Sequence, residues 1–223
     1  MTNKKNNFLQ LILLAIIILI SAKTYINHSQ VDNATFSPDI ETLIQNIEVE
    51  EDEDIIYKRA EWGSVKLSFI SPINGERESL KRYSIDLSVN TIDPREETFE
   101  FLDPYTGETI TEIMGVEFDH IIPLHYVAKH NGNDWDQKTK DDFAYALDAG
   151  VPCSKTENRI KGNKGPSEYL PPINQESYCY TWLVIANRYG ISLTQKDLDT
   201  IKFILKDVET CDIINNYNYQ MGM

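Results

Sequence analysis

An α+β fold is predicted by three features of the chain. Short β-prone stretches bounded by turn residues occupy its middle, helix-period stretches with stop signals dominate after Pro123, and no internal repeat is visible. At 223 residues there is room for one ordinary domain with appendages. The hydrophobic share of 41% and charged share of 25% are globular values, which excludes disorder throughout. A net charge of −14 repels phosphates, so any function on nucleic acid needs a local exception to the acidic body.

Lys4 and Lys5 precede an apolar run of 15 residues, Phe8 to Ala22, with Lys23 after it. This is the pattern of an export signal or a signal anchor. A helix of that length reaches about 22 Å against a hydrocarbon core of about 30 Å, so spanning requires Lys23 to snorkel and Tyr25 to sit in the interface. Ile20-Ser21-Ala22 matches a cleavage site only in part, so cleaved signal and retained anchor stay open for residues 1–26. Either outcome puts the remainder outside the cytoplasm, secreted or held to the membrane. Residues 27–56 read as a polar tether ending in the acidic run Glu48 to Asp54, with a short amphipathic helix possible at Ile40 to Ile47.

From Tyr57 to the end the texture is that of a packed domain. Glu61 to Ile70 alternates like a strand, Asn74-Gly75 marks a turn, and Arg77 to Tyr83 suits a short helix. Asp103-Pro104-Tyr105-Thr106-Gly107 is a turn by its Pro and Gly placement. Thr109 to Met114 and Val116 to Ile122 are β-prone around Gly115, and Pro123 ends the second. Lys138 to Leu147 has helical spacing, and Gly150 to Ser154 is a candidate strand. Thr156 to Ile160 opens a helix that Gly162 breaks. Tyr178 to Arg188, stopped by Gly190, and Leu198 to Val208 are the last two helices, with Leu193-Thr194 as a cap region. Three cysteines, Cys153, Cys179 and Cys211, allow at most one internal disulfide, and no C-x-x-C pair exists to build a four-cysteine zinc site.

Two windows carry chemistry. GVEFDHIIPL, Gly115 to Leu124, places an acid and an imidazole together at a strand end. Further on, Lys155, Arg159, Lys161 and Lys164 surround a single acid, Glu157, and supply the local positive exception that phosphate binding demands.

Together these pieces resemble the HNH, or His-Me finger, endonucleases with a ββα-metal core. More narrowly they resemble an exported bacterial HNH group reading DHVVPL, then Trp, then ENRSKG and P-x-E-W-L-P-P. The counterparts here are DHIIPL at 119–124, Trp135, Phe143-Ala144, ENRIKG at 157–162 and PSEYLPP at 166–172. DPYTG at 103–107, Trp182 and Arg188-Tyr189-Gly190 extend the likeness, which covers most of 100–192 in order.

The resemblance implies an exported endonuclease domain over 57–223 that hydrolyses phosphodiester bonds of DNA or RNA. His120 is then the general base on water, since imidazole accepts a proton near neutral pH. Asp119 and Asn158 are the implied metal ligands, and Arg159, Lys161 and Lys164 the implied phosphate contacts. One carboxylate plus one amide oxygen suits a hydrated Mg²⁺, with Mn²⁺ as a substitute. Because strand neighbours point to opposite faces, Asp119 and His120 share a site only if the strand end twists. His125 is a further, lesser candidate. Two departures stand out: Ala149 falls where the family's middle Asn braces the histidine loop, leaving Asp148 or a backbone group to do so, and Tyr126 replaces a frequent Glu. A scaffold that binds nucleic acid with little or no turnover, and a membrane-tethered structural protein, are the competing readings.

Overall fold

The computed structural model describes residues 39–63, 68–70, 77–79, 100–209 and 212–213. The apolar N-terminal segment, the start of the tether, the Asn74-Gly75 turn and Cys211 lie outside them. The elements are α1 (Ile40–Gln45), β1 (Ser68–Ile70), β2 (Arg77–Ser79), β3 (Phe101–Leu102), β4 (Thr109–Ile110), β5 (Val116–His120), α2 (Leu124–Lys129), α3 (Gln137–Tyr145), β6 (Gly150–Ser154), α4 (Lys155–Lys161), α5 (Gln175–Tyr189) and α6 (Gln195–Leu205). The fold is α+β: among the described residues three separate two-stranded antiparallel ladders, β1 with β2, β3 with β4 and β5 with β6, accompany helices. Among the described residues no helix is long and apolar enough to cross a membrane.

Local chemistry explains most boundaries. The side chains of Asp39, Asp136, Ser154 and Thr194 cap the starts of α1, α3, α4 and α6 by accepting backbone N–H bonds. Gly162 ends α4 with φ of 58°, a left-handed value that glycine adopts without steric cost. Two expectations differ. Arg77–Ser79 is a strand rather than the start of a helix, because it pairs with β1 in register Ile70 to Arg77. The expected strand over 61–70 begins instead as a 3-10 turn, Arg59–Glu61.

The core gathers Trp62, Ile122, Phe143, Trp182, Leu183, Ile185, Leu193 and Ile201, each almost fully buried, around α5. Cys153 and Cys179 are buried free thiols, so they form no bridge with each other. Burial pushes the Cys179 thiol up to about 12, as expected of an inert packing residue.

The acidic tether is not a free spacer along its whole length. Pro38 to Met223 forms one compact unit, and α1 buries Ile40 and Leu43 in the core. The chain then lies against the Leu193 backbone through Leu193 N to Glu48 O and Glu50 N to Leu193 O, both 3.0 Å. Its acids find partners: Asp52 accepts from Lys129 Nζ at 2.5 Å and pairs with His130 Nε2 at 3.0 Å, while Glu50 accepts from Ser192 Oγ at 2.9 Å. A run that reads as solvated in sequence is thus fastened by cations and backbone supplied from far along the chain.

Two predictions follow from this strap. A chain starting at Tyr57 loses the burial of Ile40 and Leu43, about 3–6 kcal/mol at ~1.5–3 kcal/mol per side chain; urea unfolding against a chain starting at Pro38 measures it. Burial holds His130 below the ordinary imidazole value, with Asp52 opposing. A depressed histidine contributes stability that is complete above about pH 6.5 and is lost as pH falls toward the folded-state value. The thermal midpoint should therefore decline on acidification below that point, and His130→Gln should flatten the decline; an unchanged slope in the variant would assign the effect elsewhere.

Candidate functional site

Strands β5 and β6 pair over five residues, from Val116 with Ser154 to His120 with Gly150, and α4 follows β6 directly. The helix packs on both strands. The result is a strand–strand–helix unit in which a long excursion, residues 121–149, connects the two strands. Gly150 is required at the closing pair: a Cβ there would lie 2.5 Å from the Asp119 carbonyl oxygen and 2.5 Å from the Phe118 ring.

The strand keeps its alternation. Phe118 and His120 lie on one face, with ring centroids 5.4 Å apart. Glu117 and Asp119 lie on the other, toward α4: Glu117 accepts from Asn158 Nδ2 at 3.2 Å and pairs with Arg159 at 3.6 Å. The twist that would bring the Asp119 carboxylate and the His120 ring to one shared point does not occur.

His120 is mostly buried, stacked against Phe143 at 6.0 Å between centroids. Its Nε2 lies 3.0 Å from the Ala144 carbonyl oxygen. A carbonyl only accepts, so Nε2 carries the proton and Nδ1 keeps the lone pair, the tautomer needed for a base. Burial lowers the imidazole to about 4, against the pull of the Ala144 hydrogen bond and with help from the charges of Lys161 and Arg59. The ring is therefore neutral across ordinary pH.

On the opposite face, Asp119 is almost fully buried and both its oxygens are engaged. Lys161 Nζ donates to Oδ1 at 2.8 Å and Tyr105 Oη donates to Oδ2 at 2.7 Å. The same ammonium donates to the His120 carbonyl at 2.7 Å. Burial raises the Asp119 carboxyl above its usual range, opposed by Lys161 and then by the Tyr105 hydrogen bond.

Of the residues singled out in the sequence, Asn158 and Arg159 stand with Glu117, and the Arg159 side chain is largely exposed. Lys164 donates to the Ile160 carbonyl at 2.8 Å at the helix end. Lys161 differs from its expected role: it is fully buried, so it faces no phosphate in solution. The expected metal pair also meets an obstacle. Asn158 turns its amide to Glu117, and Asp119 already holds a cation, so a divalent ion on Oδ1 would have to displace the ammonium. In the free protein a divalent ion therefore competes with this ammonium, and among the described residues no group of three His, Cys, Asp or Glu side chains is placed to hold a metal.

His125 stacks on Tyr57 at 4.6 Å and its Nδ1 lies 3.1 Å from Asn163 Nδ2, a loop contact on the outside of the site. Ala149 braces the histidine loop by its backbone, since its carbonyl accepts from Ile121 N at 3.0 Å. Asp148 pairs instead with Arg188. Tyr126 is a core residue whose hydroxyl donates to the buried Asp197 at 2.7 Å.

Three contributors are not singled out by the sequence reading. Tyr105 is delivered by the DPYTG turn, where buried Asp103 accepts from Thr106 Oγ1 at 2.6 Å and from Ser154 N at 2.8 Å. Glu117 sits two residues before Asp119 on the same strand face, a period-2 signal that was available. Arg59 comes from the segment before the domain's first strands: its guanidinium donates to the carbonyls of Trp62 and Gly63 at 2.5 and 3.4 Å. A Cβ on Gly63 would lie 3.1 Å from the Ala144 Cβ, which puts this arginine beside the residue that holds His120.

No known protein family and no solved structure matches the chain. An uncharacterized secreted protein of Arthroderma benhamiae is 27% identical over 109 residues, 47% of this chain and 53% of the relative. The chain therefore spans about half the length of the curated relative it matches.

The Gly150 contact yields a direct check. Gly150→Ala should destabilise the protein by about 1–3 kcal/mol through overpacking, read by denaturant unfolding; an unaffected midpoint would mean that β5 and β6 do not approach as described.

Proposed function

We propose that the chain is an exported phosphodiester hydrolase acting on DNA or RNA, and that its β5–β6–α4 unit is the strand–strand–helix core of an HNH endonuclease. The observation that carries this reading is the pinned tautomer of His120: Nε2 is committed to the Ala144 carbonyl and Nδ1 is left to accept a proton. In the reaction Nδ1 takes a proton from water as its oxygen attacks phosphorus. The bond to the leaving sugar oxygen then breaks, and that oxygen departs with the electron pair. Arg159, Lys164 and Arg59 supply the positive charge that meets the phosphates, arginine through its forked donors. Export is supported by the apolar run behind Lys4 and Lys5 and by the likeness to a secreted fungal protein. Because Asp119 holds the Lys161 ammonium in the free protein, magnesium or manganese enters this proposal only together with the nucleic acid, a requirement that chelation reads.

The test is digestion of plasmid DNA and of a structured RNA by the chain from Pro38 onward, with and without chelator. His120→Ala should slow cleavage by roughly 10²- to 10⁴-fold, the usual contribution of a positioned base, with folding unchanged by circular dichroism. Identical rates for wild type and variant would remove the catalytic assignment. A second reading, a binding module on a nuclease-like scaffold, is favoured by the commitment of both Asp119 oxygens to Lys161 and Tyr105. Salt-sensitive binding of DNA that stays intact under every ion tried would select it.

A further inference from the structure

We infer that the Lys161 ammonium is the resident cation of the Asp119 pocket in the free protein, and that it keeps divalent ions off this carboxylate. The inference concerns the same unit as the proposed hydrolase site but does not depend on that activity.

Three observations carry it. Lys161 is completely buried although lysine is among the residues least often found so. Burying an ammonium costs several kcal/mol unless it is paired and hydrogen-bonded, and Lys161 is both: Asp119 Oδ1 and the His120 carbonyl accept its protons at 2.8 and 2.7 Å. Tyr105 completes the pocket by donating to Oδ2 at 2.7 Å, so neither carboxylate oxygen is left without a hydrogen-bond donor.

The position of Lys161 in the fold makes this arrangement durable. The lysine is the last residue of α4, and Asp119 and His120 are the last two of β5. Its side chain spans from helix to strand and holds the peptide that carries the imidazole. Lys161 is thus a positioning residue for His120, acting through the backbone. A divalent ion at Oδ1 would sit within a few ångströms of this positive charge, and in a buried site of low dielectric that repulsion is poorly screened.

The experiment measures Mn²⁺ binding by calorimetry and electron paramagnetic resonance, with no nucleic acid present. It compares wild type, Lys161→Met, Asp119→Asn and the Lys161→Met/Asp119→Asn double variant, each checked for folding by circular dichroism. Wild type should show no saturable Mn²⁺ binding up to roughly 1 mM, the weak end of specific association. Lys161→Met removes the ammonium and leaves a buried carboxylate, so it should gain a site at least about tenfold tighter, and the double variant should lose it again. Saturable binding to wild type that Asp119→Asn abolishes would overturn the inference, as would a folded Lys161→Met with no gain. If Lys161→Met does not fold, wild type against Asp119→Asn decides the matter. A protein that behaves as expected here yet leaves nucleic acid intact keeps this inference and loses the hydrolase reading; the converse separates them equally well.

Discussion

The buried ammonium of Lys161 joins the three pieces on which the site depends: the end of β5, the end of α4 and, through Asp119, the DPYTG turn. Removing one member of such a pair leaves an uncompensated charge in the interior, at a cost of about 3–5 kcal/mol. The surrounding order follows from that constraint. Asp103 ties the turn to the start of α4 through Ser154, and Gly150 lets the paired strands close without a side chain between them. His120 is then aimed away from the ion pair, into a pocket of aromatic rings where only its Ala144 hydrogen bond gives direction. Electrostatics fixes one face of β5 and packing fixes the other.

The molecule as a whole is acidic, yet its acids are unevenly available. The Glu48 to Asp54 run is partly spent on Lys129, His130 and Ser192, which lowers its effective repulsion toward an approaching anion. Arg159, mostly exposed, and the neighbouring Lys164 stand at the end of α4. Glu117 stands 3.6 Å from Arg159, well inside a Debye length of about 8 Å at physiological salt, so the pair's charges offset each other toward an approaching anion.

Much of the fold was legible because its signals are local. The cap at Thr194, the breaks at Gly162 and Gly190 and the strand over 150–154 correspond to observed boundaries within a few residues. Helix α2 has no counterpart in the sequence reading: it begins directly after Pro123, which reads as a strand terminator, and buries Leu124, Val127 and Ala128. Arg77–Ser79 was misjudged because a short segment takes its state from its partner, here Ile70 to Ser68. The binding of residues 48–53 to the body was invisible, since acidic composition reports solvation and says nothing of a cation waiting seventy or more residues away.

What the sequence determined by itself is therefore the α+β class and the strand and helices from Gly150 onward, because turns, caps and periodicity act over a few residues. Only the tertiary structure decided that Lys161 turns inward, that Tyr105 reaches Asp119 and that Ala144 sets the imidazole tautomer. Each of those contacts joins residues 14 to 42 positions apart. No local rule ranks the possible partners of a lysine or a histidine across such distances; burial and the need to satisfy every polar atom do.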